Sequence, residues 1–248
     1  MTVTINGQTT DAQPGESLFD SARRLGIRVP TSCREQGKCK ECVVEITEGL
    51  DALSPRTAAE AHLTGPFRLS CQCRVTAGSG RVRGHTMRGG RLRIERGALP
   101  AGRRAVALEP AVTRDGNRVR LDGEEVDRYR GSMLGVAMDL GTTTVVLRVV
   151  DLETGDTVAD ASFENPQRFA GSDVMSRIQY ATDHGADVLV RTLTGYVSRA
   201  LEECPADPST VYEMVVAGNT TMRDLFFRRD VAPIGQSPYR SVTETDVR

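Results

Sequence analysis

Residues 33–42 read CREQGKCKEC, and residues 67–73 read FRLSCQC. An iron-sulfur cluster needs four soft anionic ligands, and a loop that supplies three of them must wrap closely around the inorganic sulfides. Gly37 allows such a loop to turn tightly, because glycine has no Cβ to restrict the backbone. The spacing of the thiols therefore predicts a [2Fe-2S] cluster with the ligands Cys33, Cys39, Cys42 and Cys71.

Other uses of these cysteines stay open. A structural zinc site takes the same number of thiolates, although zinc usually prefers two C-x2-C pairs and only one is present here. Unmetallated thiols are a third possibility. On a predicted strand the side chain of Cys73 shares a face with that of Cys71, so geometry alone does not exclude it as a ligand. The roles of Cys73 and of the distant Cys204 are left open.

The composition is that of an ordinary folded protein, with 248 residues, 39% hydrophobic content and a formal net charge of -1. Nearly balanced charge gives no global attraction to nucleic acid or to anionic membranes. No apolar run approaches the roughly 20 residues that span a bilayer, and the N-terminus has no signal sequence. These features predict a cytoplasmic protein, in which six cysteines favour metal or redox chemistry over structural disulfides.

The N-terminal segment has the pattern of a small domain of mixed α+β type. Val3 and Ile5 alternate with polar residues ahead of an Asn-Gly turn, which predicts a β-hairpin. Apolar residues recur at helical spacing from Glu16 to Leu25, and CVVEITEG and FRLSCQCRV alternate like strands. Hairpin, helix, cysteine loop and strands together predict a β-grasp domain over residues 1–80.

The remainder of the chain divides into two further parts. Residues 81–132 are rich in glycine and arginine at their start and are predicted to form a linker with a short middle segment. From residue 133, LGVAMDLG, TTTVVLRVVDLETG and DTVADASFE predict an antiparallel meander. Helices are predicted over 171–181 and 187–203, before a strand at VYEMVVAGN. Residues 133–248 therefore form a predicted α/β domain.

The motif MDLGTTT at residues 138–144 lies between the first two strands of this meander. It is no Walker sequence, since a P-loop joins a strand to a helix. A tight hairpin at Gly141 can direct backbone N–H groups and the hydroxyls of Thr142 and Thr143 toward phosphate oxygens. Asp139, at the strand end, can orient hydrated Mg²⁺. The motif suits a nucleotide site, with a plain hairpin of β-branched residues as the alternative.

Several of these motifs resemble known families. The cysteine spacing and the RLSCQ segment at residues 68–72 resemble the adrenodoxin-like branch of the [2Fe-2S] ferredoxins. The meander and its DLGTT motif resemble the first phosphate loop of the ASKHA superfamily of ATPases. The two together resemble the reductive activators of corrinoid proteins. ENPQRFAGSDVMSRIQYA and VVAGNTTMRDLFF match that family's motifs through Asn165, Pro166, Gln167, Gly171, Asp173, Val174, Ser176, Arg177, Ile178, Gly218, Asn219, Thr221 and Met222.

The resemblance implies a fold and an activity. The fold would be a β-grasp ferredoxin domain followed by the first half of an ASKHA-type, ribonuclease H-like ATPase domain. The activity would be electron transfer that reduces a corrinoid protein from Co(II) to Co(I) with the help of ATP, in methyl transfer or O-demethylation. The implied cofactors are a [2Fe-2S] cluster, ATP and Mg²⁺. By the same resemblance Asp139 is the catalytic residue that serves the metal, and Gly141, Thr142, Thr143 and Asn219 bind the nucleotide.

The resemblance also implies partners. These are a corrinoid protein of a methyltransferase system and a reductase or ferredoxin that donates electrons. The sequence stops at Arg248, so a truncated or split activator with weak ATPase activity is expected, together with another chain that carries the second ATPase half. No nucleic acid or membrane partner is expected. Two other functions stay open: a ferredoxin-type carrier with a docking module and no ATPase activity, and a zinc-stabilised interaction protein.

The only lysines of the chain, Lys38 and Lys40, flank Cys39. Close cations favour the more negative, reduced form of a cluster and so raise its midpoint potential. The alternative is that both lysines are ordinary exposed charges without an effect on the cluster.

Overall fold

The computed structural model describes residues 1–76, 80–87, 92–96 and 108–244, and of residues 92–96 the backbone only. These residues form two compact units. The first unit takes its residues from Met1–Gly90, Pro166–Tyr196 and Asp224–Arg248, and the second from Arg91–Asn165 and Val197–Arg223.

The first unit contains a mixed sheet with one helix packed against its N-terminal hairpin. Its elements are β1 (Thr2–Ile5), β2 (Gln8–Asp11), α1 (Leu18–Arg24), β3 (Val43–Glu48), β4 (Phe67–Leu69) and β5 (Arg81–Thr86). The strand order is β2-β1-β5-β3-β4, with β1 parallel to β5 and the other pairs antiparallel. The prediction of a β-grasp arrangement is confirmed.

Local chemistry explains the hairpin and the helix. Asn6 and Gly7 both adopt positive φ, which a two-residue hairpin turn of type I′ requires. Ser17 and Asp20 form a capping box at the start of α1, so the first free N–H groups of the helix are satisfied. The helix buries Leu18 and Ala22 on its inner face.

The predicted domain boundary at residue 80 is too early. Strand β5 lies between β1 and β3, so it is an interior strand of the first sheet. In β5 exposed arginines alternate with buried small residues such as Val82, and this composition concealed the strand. Within the predicted linker, residues 88–91 and 97–107 lie outside the described residues, as do residues 77–79 before it.

Two further helices follow later in the chain, α2 (Val174–His184) and α3 (Asp187–Glu203). The helix α2 begins three residues later than predicted, because Asp173 accepts a hydrogen bond from the N–H of Ser176 and caps it. Phe169 and Ile178 belong to the same buried cluster as Leu69 of β4. The predicted domain at 133–248 is therefore divided between the two units.

The second unit contains two sheets. Its elements are β6 (Leu92–Arg96), β7 (Val112–Asp115), β8 (Arg118–Leu121), β9 (Glu124–Arg128), β10 (Leu134–Leu140), β11 (Thr144–Asp151), β12 (Thr157–Glu164), β13 (Val211–Gly218) and α4 (Thr220–Phe226), the last running on into the first unit. The larger sheet has the order β13-β10-β11-β12-β6, and β7-β8-β9 form the smaller one.

The predicted meander is confirmed, since β10, β11 and β12 pair antiparallel in chain order. Strand β13 runs parallel to β10, so both strands end at the same edge of the sheet. Strands β6 to β9 fall within residues 81–132, which were predicted as a linker and a short middle segment, so the segment has more regular structure than a linker. Over the described ranges, no helix has the length and apolar character needed to cross a membrane.

Candidate functional site

The cysteine loop, residues 33–42, connects α1 to β3 without regular secondary structure. Arg34, Glu35, Gly37 and Lys40 adopt left-handed backbone conformations, with φ between 52° and 75°. Such a conformation costs a non-glycine residue on the order of 1–3 kcal/mol. Left-handed residues in a loop can turn nearby N–H groups toward one concavity, as in anion-binding nests. The loop is therefore shaped to surround an anionic group with amides.

Gly37 is required by space as well as by its φ of 75°. A Cβ at this position would lie 2.9 Å from the Cβ of Ala59 and 3.1 Å from the Cδ of Gln72. Carbon atoms do not approach so closely without displacing one another. The absence of a side chain thus lets the loop lie against the segment that carries Cys71.

The four predicted ligands form two pairs of thiols. The Sγ atoms of Cys42 and Cys71 lie 3.3 Å apart, and Cys39 lies close enough to the thiol of Cys33 to lower its pKa through both its N–H and its side chain. The first pair is buried and the second half-buried. Each iron of a [2Fe-2S] cluster takes two protein ligands, so this donor set fits such a group. Among the described residues, no three His, Cys, Asp or Glu side chains meet at one point as a single ion would require.

Hydrogen bonds to sulfur favour the thiolate form that a metal needs. For Cys33, burial acts to raise the pKa, but the N–H groups of Cys39, Lys38 and Gln36 and the thiol of Cys39 outweigh it, so the pKa falls to about 7. Between the inner thiols, Cys42 donates to Cys71, which lowers the pKa of Cys71 to about 6 and raises that of Cys42. Each pair therefore loses a first proton readily.

Cys71 lies in a turn and not on a strand. Strand β4 ends at Leu69, whose carbonyl accepts hydrogen bonds of 2.9 Å from the N–H groups of both Gln72 and Cys73. The expectation that Cys71 and Cys73 share a strand face is therefore wrong. Cys73 is fully buried, and burial raises the pKa of its thiol to about 12. This is the behaviour of an inert core cysteine.

A buried ion pair holds the turn that carries Cys71, and sequence reasoning missed its acidic member. The Nε of Arg68 donates to Oε1 of Glu60 over 2.8 Å, and the same oxygen accepts the N–H of Leu69 at 3.0 Å. Burial acts to raise the pKa of Glu60, but these hydrogen bonds outweigh it and keep the pKa low. The spacing of a capping box, Thr57 to Glu60, was the available signal.

Two more side chains fix the outer side of the loop. Oε1 of Glu41 accepts a 3.2 Å hydrogen bond from the hydroxyl of Ser32 and an ion pair of 2.9 Å from Arg191 of α3. Nε2 of Gln72 donates to the carbonyl oxygen of Glu35 at 3.2 Å and to Sγ of Cys71 at 3.5 Å. The loop is thereby tied both to its own start and to the Cys71 turn.

The second candidate site is the hairpin between β10 and β11 in the second unit. The N–H of Gly141 donates to the carbonyl of Thr144 at 3.0 Å, and a Cβ on Gly141 would lie 2.5 Å from that oxygen. Asp139 is exposed, one residue before the end of β10, and Thr143 is exposed in the turn. The predicted nucleotide residues therefore gather at the carboxyl ends of β10 and β13, where α/β proteins commonly bind ligands.

Two asparagines clamp this hairpin. Nδ2 of Asn219 donates to the hydroxyl of Thr142 at 3.2 Å, and its Oδ1 caps α4 by accepting the N–H of Met222 at 3.0 Å. Asn165 donates from its side chain to the carbonyl of Gly141 at 2.9 Å and from its backbone to that of Thr143 at 2.7 Å. The protein itself thus fixes the shape of this turn.

Other residues of the family motifs have structural contacts in the first unit. The buried Arg177 donates from Nε to the carbonyl of Gly171 at 3.2 Å and from Nη1 to Gln167 at 3.4 Å. Gln167 also donates to the carbonyl of Leu189. These contacts join the start of α2 to α3, which accounts for the residue types without a ligand.

The comparisons with known proteins agree with this geometry. Residues 2–76 match the family described as the 2Fe-2S iron-sulfur cluster binding domain. A 2Fe-2S ferredoxin of Pseudomonas aeruginosa is 36% identical over 76 residues, which covers 28% of this chain and 68% of that protein. The chain therefore belongs to the [2Fe-2S] ferredoxin family through its N-terminal domain.

Residues 134–248 match a second family, described as the RACo middle region. The corrinoid activation enzyme RamQ of Eubacterium limosum is 29% identical over 130 residues, covering 50% of this chain and 22% of RamQ. A solved reductive activator for corrinoid, iron-sulfur protein has the same fold, with a TM-score of 0.50 and 20% identity over 97% of this chain and 50% of that one. The resemblance to the reductive activators of corrinoid proteins is confirmed. The chain spans about a fifth of RamQ and half of the solved activator.

Proposed function

We propose that this chain carries electrons through a [2Fe-2S] cluster held by Cys33, Cys39, Cys42 and Cys71. The observation that carries the proposal is that an amide-lined loop and the adjoining turn of Cys71, in a ferredoxin-family domain, bring the four thiols together as two pairs. When bound, the cluster supplies a site that accepts and releases one electron at a time.

The residues of the loop prepare the site for charge. Backbone N–H groups of Lys38 and Gln36 donate to the sulfur of Cys33, and that of Gly37 donates to Cys71. These donors stabilise negative charge on sulfur without reorganising, because the left-handed backbone already directs them inward. The Glu60–Arg68 pair holds the turn of Cys71, and Gln72 ties that turn to the loop.

We propose further that the electron reduces the cobalt of a corrinoid protein from Co(II) to Co(I), in methyl transfer or O-demethylation. This rests on the relatives, which are named as corrinoid activators. The proposed partners are that corrinoid protein and a reductase or ferredoxin that supplies the electron. The Co(II)/Co(I) couple is very negative, so a second source of free energy must assist the transfer, and binding of ATP is the proposed source.

The proposed nucleotide site is the hairpin at Gly141, Thr142 and Thr143, with Asp139 for Mg²⁺ and Asn219 as a neighbour. The clamped turn at the carboxyl ends of β10 and β13 supports this assignment, as does the sheet in which a meander is followed by a parallel strand. Residues from β10 onward in the second unit would then be part of an ASKHA-type half, completed by a partner segment or chain.

Metal content tests the first proposal. Protein reconstituted anaerobically with iron and sulfide is expected to hold two irons per chain and to give a rhombic EPR signal after dithionite. Cys42→Ser and Cys71→Ser are expected to lose this signal, while Cys204→Ser is the matched control and retains it, because Cys204 belongs to the other unit. Stoichiometric zinc without an EPR signal would refute the cluster.

Nucleotide dependence separates the proposal from its alternative. Reduced protein is mixed with a corrinoid protein in the Co(II) state, and formation of Co(I) is followed by its visible absorption with and without MgATP. An ATP-dependent increase that Asp139→Asn abolishes supports the activator function. Equal reduction with and without ATP would instead indicate an electron carrier with a docking module.

A further inference from the structure

Residues 28–40, which include the half-buried thiol pair, carry four cations that we call the cationic rim: Arg28, Arg34, Lys38 and Lys40. Arg34 directly follows Cys33, and the two lysines flank Cys39. Three of the four rim side chains are exposed, and Lys40 is half-buried. The inner pair, Cys42 and Cys71, is by contrast buried. The outer pair, Cys33 and Cys39, is therefore the more solvent-accessible of the two.

The acidic side chains of the same loop are already neutralised. Glu35 pairs with Arg23, and Glu41 pairs with Arg191 at 2.9 Å. Across the described residues, none of the four rim cations takes part in an ion pair. The chain as a whole has a net charge of -1, so the positive charge of the rim is a local feature and no consequence of composition.

The charge of the cluster itself does not cancel the rim. Two ferric ions, two sulfides and four thiolates leave two negative charges, and reduction adds one more. A bound cluster would be held beside the amides that donate to the Cys33 thiol, whereas Arg28, Arg34 and Lys38 of the rim are exposed. A partner that approaches the surface meets the cations first, and the field at the rim falls off within about 10 Å at ordinary salt.

We infer that the cationic rim is the docking surface for an acidic protein surface, on the partner that exchanges electrons with this chain. This inference rests on the proposed electron transfer. An acidic protein is favoured over a nucleic acid because residues 28–41 contain no aromatic side chain on which bases could stack. Electrostatic complementarity of this kind steers the encounter and fixes the register of two proteins.

Small redox probes of opposite charge test the field at the rim. Holoprotein reduced with dithionite and freed of excess reductant is oxidised in stopped flow by hexacyanoferrate(III), which takes one electron and becomes hexacyanoferrate(II). The rate with this anion is expected to fall roughly tenfold between low and high ionic strength. The rate with hexaamminecobalt(III), a cation, is expected to rise or stay constant. A rate with hexacyanoferrate that does not fall with salt would overturn the inference.

Charge reversal locates the effect. The double variant Arg34→Glu, Lys38→Glu is expected to invert the salt dependence of oxidation by hexacyanoferrate. The control, Arg81→Glu on β5, reverses one charge away from the cysteine loop in sequence. It is expected to leave the sign of the salt dependence unchanged. An equal change in the control would refute the rim as the site. The absorption spectrum of each preparation distinguishes failure of the proposed function from failure of the docking surface. A preparation without a cluster contradicts the proposed function. A normal cluster without the salt effect contradicts only the docking surface.

Competition identifies the class of partner. Polyglutamate is expected to slow oxidation by hexacyanoferrate at about 0.15 M salt, because it occupies the rim. A single-stranded oligonucleotide of equal charge is expected to compete less well. Tighter competition by the oligonucleotide would overturn the choice of an acidic protein.

Discussion

The cysteine loop and the hairpin of Gly141 both turn at a glycine whose Cβ would collide with a neighbour, but they are held in different ways. The cysteine loop has four left-handed residues, and several of its N–H groups donate to sulfur. The hairpin lies between two paired strands and is clamped by Asn165 and Asn219. Contacts within the protein therefore suffice to hold the hairpin. The cysteine loop instead has strained residues and inward N–H donors, which are typical of a segment that holds a bound group.

Four predictions test this difference, and the largest effect is expected for Gly37→Ala. The new Cβ would meet Ala59 and Gln72, and the residue would also keep an unfavourable φ of 75°. Most of the iron and the visible absorption should be lost after reconstitution. Gly26→Ala is the control, because Gly26 has a similar φ of 70° but nothing within 4 Å of its Cβ. Equal loss in both variants would show that general backbone strain causes the loss, and that the clash of the new Cβ with Ala59 and Gln72 does not.

Gly141→Ala should act on stability and not on the cluster. Its Cβ would lie 2.5 Å from the carbonyl oxygen of Thr144, so the hairpin must open or shift, at a cost of about 1–3 kcal/mol. Denaturant unfolding followed by far-UV circular dichroism measures this cost. Iron content should stay normal, and its loss would contradict the independence of the two loops.

Asn219→Ser should have a smaller effect. Serine retains the cap of α4, but it is too short to reach the hydroxyl of Thr142. The loss of one hydrogen bond is expected to cost about 0.5–1.5 kcal/mol in unfolding free energy. Asn219→Ala removes the cap as well and should cost more, and equal values for the two variants would argue against the cap.

The smallest effect is expected for Lys38→Glu on the midpoint potential. Removing a cation beside Cys39 disfavours the more negative reduced cluster, so the potential should fall. Because Lys38 is exposed, solvent screens the interaction, and a decrease of less than about 60 mV is expected for one electron. Protein-film voltammetry measures the value, with Arg81→Glu as the control. An unchanged voltammogram would remove the role assigned to Lys38.

Much of the N-terminal domain could be predicted because its signals are local. The Asn-Gly turn, the capped helix and the spacing of the cysteines each act over a few residues, and the structure has all three. Strand β5 was missed because its pairing partner β1 lies about 80 residues away in sequence, and its Arg-rich alternation resembles a linker. Long-range pairing leaves no mark on local composition.

The candidate site shows the same division. Thiol chemistry and spacing indicated four ligands, but only the fold shows that they lie as an inner and an outer pair. The placement of Cys73 in the core depends on the end of β4 at Leu69, and the capping-box spacing of Glu60 does not show that this residue pairs with Arg68 to fix the turn. The gathering of Asn165 and Asn219 around one hairpin likewise needed the sheet.

The sequence by itself determined which chemistry is available: soft sulfur ligands at ferredoxin-like spacing and a glycine-threonine turn, because residue type and spacing are properties of the chain. The tertiary structure decided which thiols meet, which cysteine is buried away from them and which cations stay unpaired at the surface. These three outcomes depend on strand order and on packing between segments that are distant in sequence. Burial and close contact in the packed structure set the free energy of each polar or charged group.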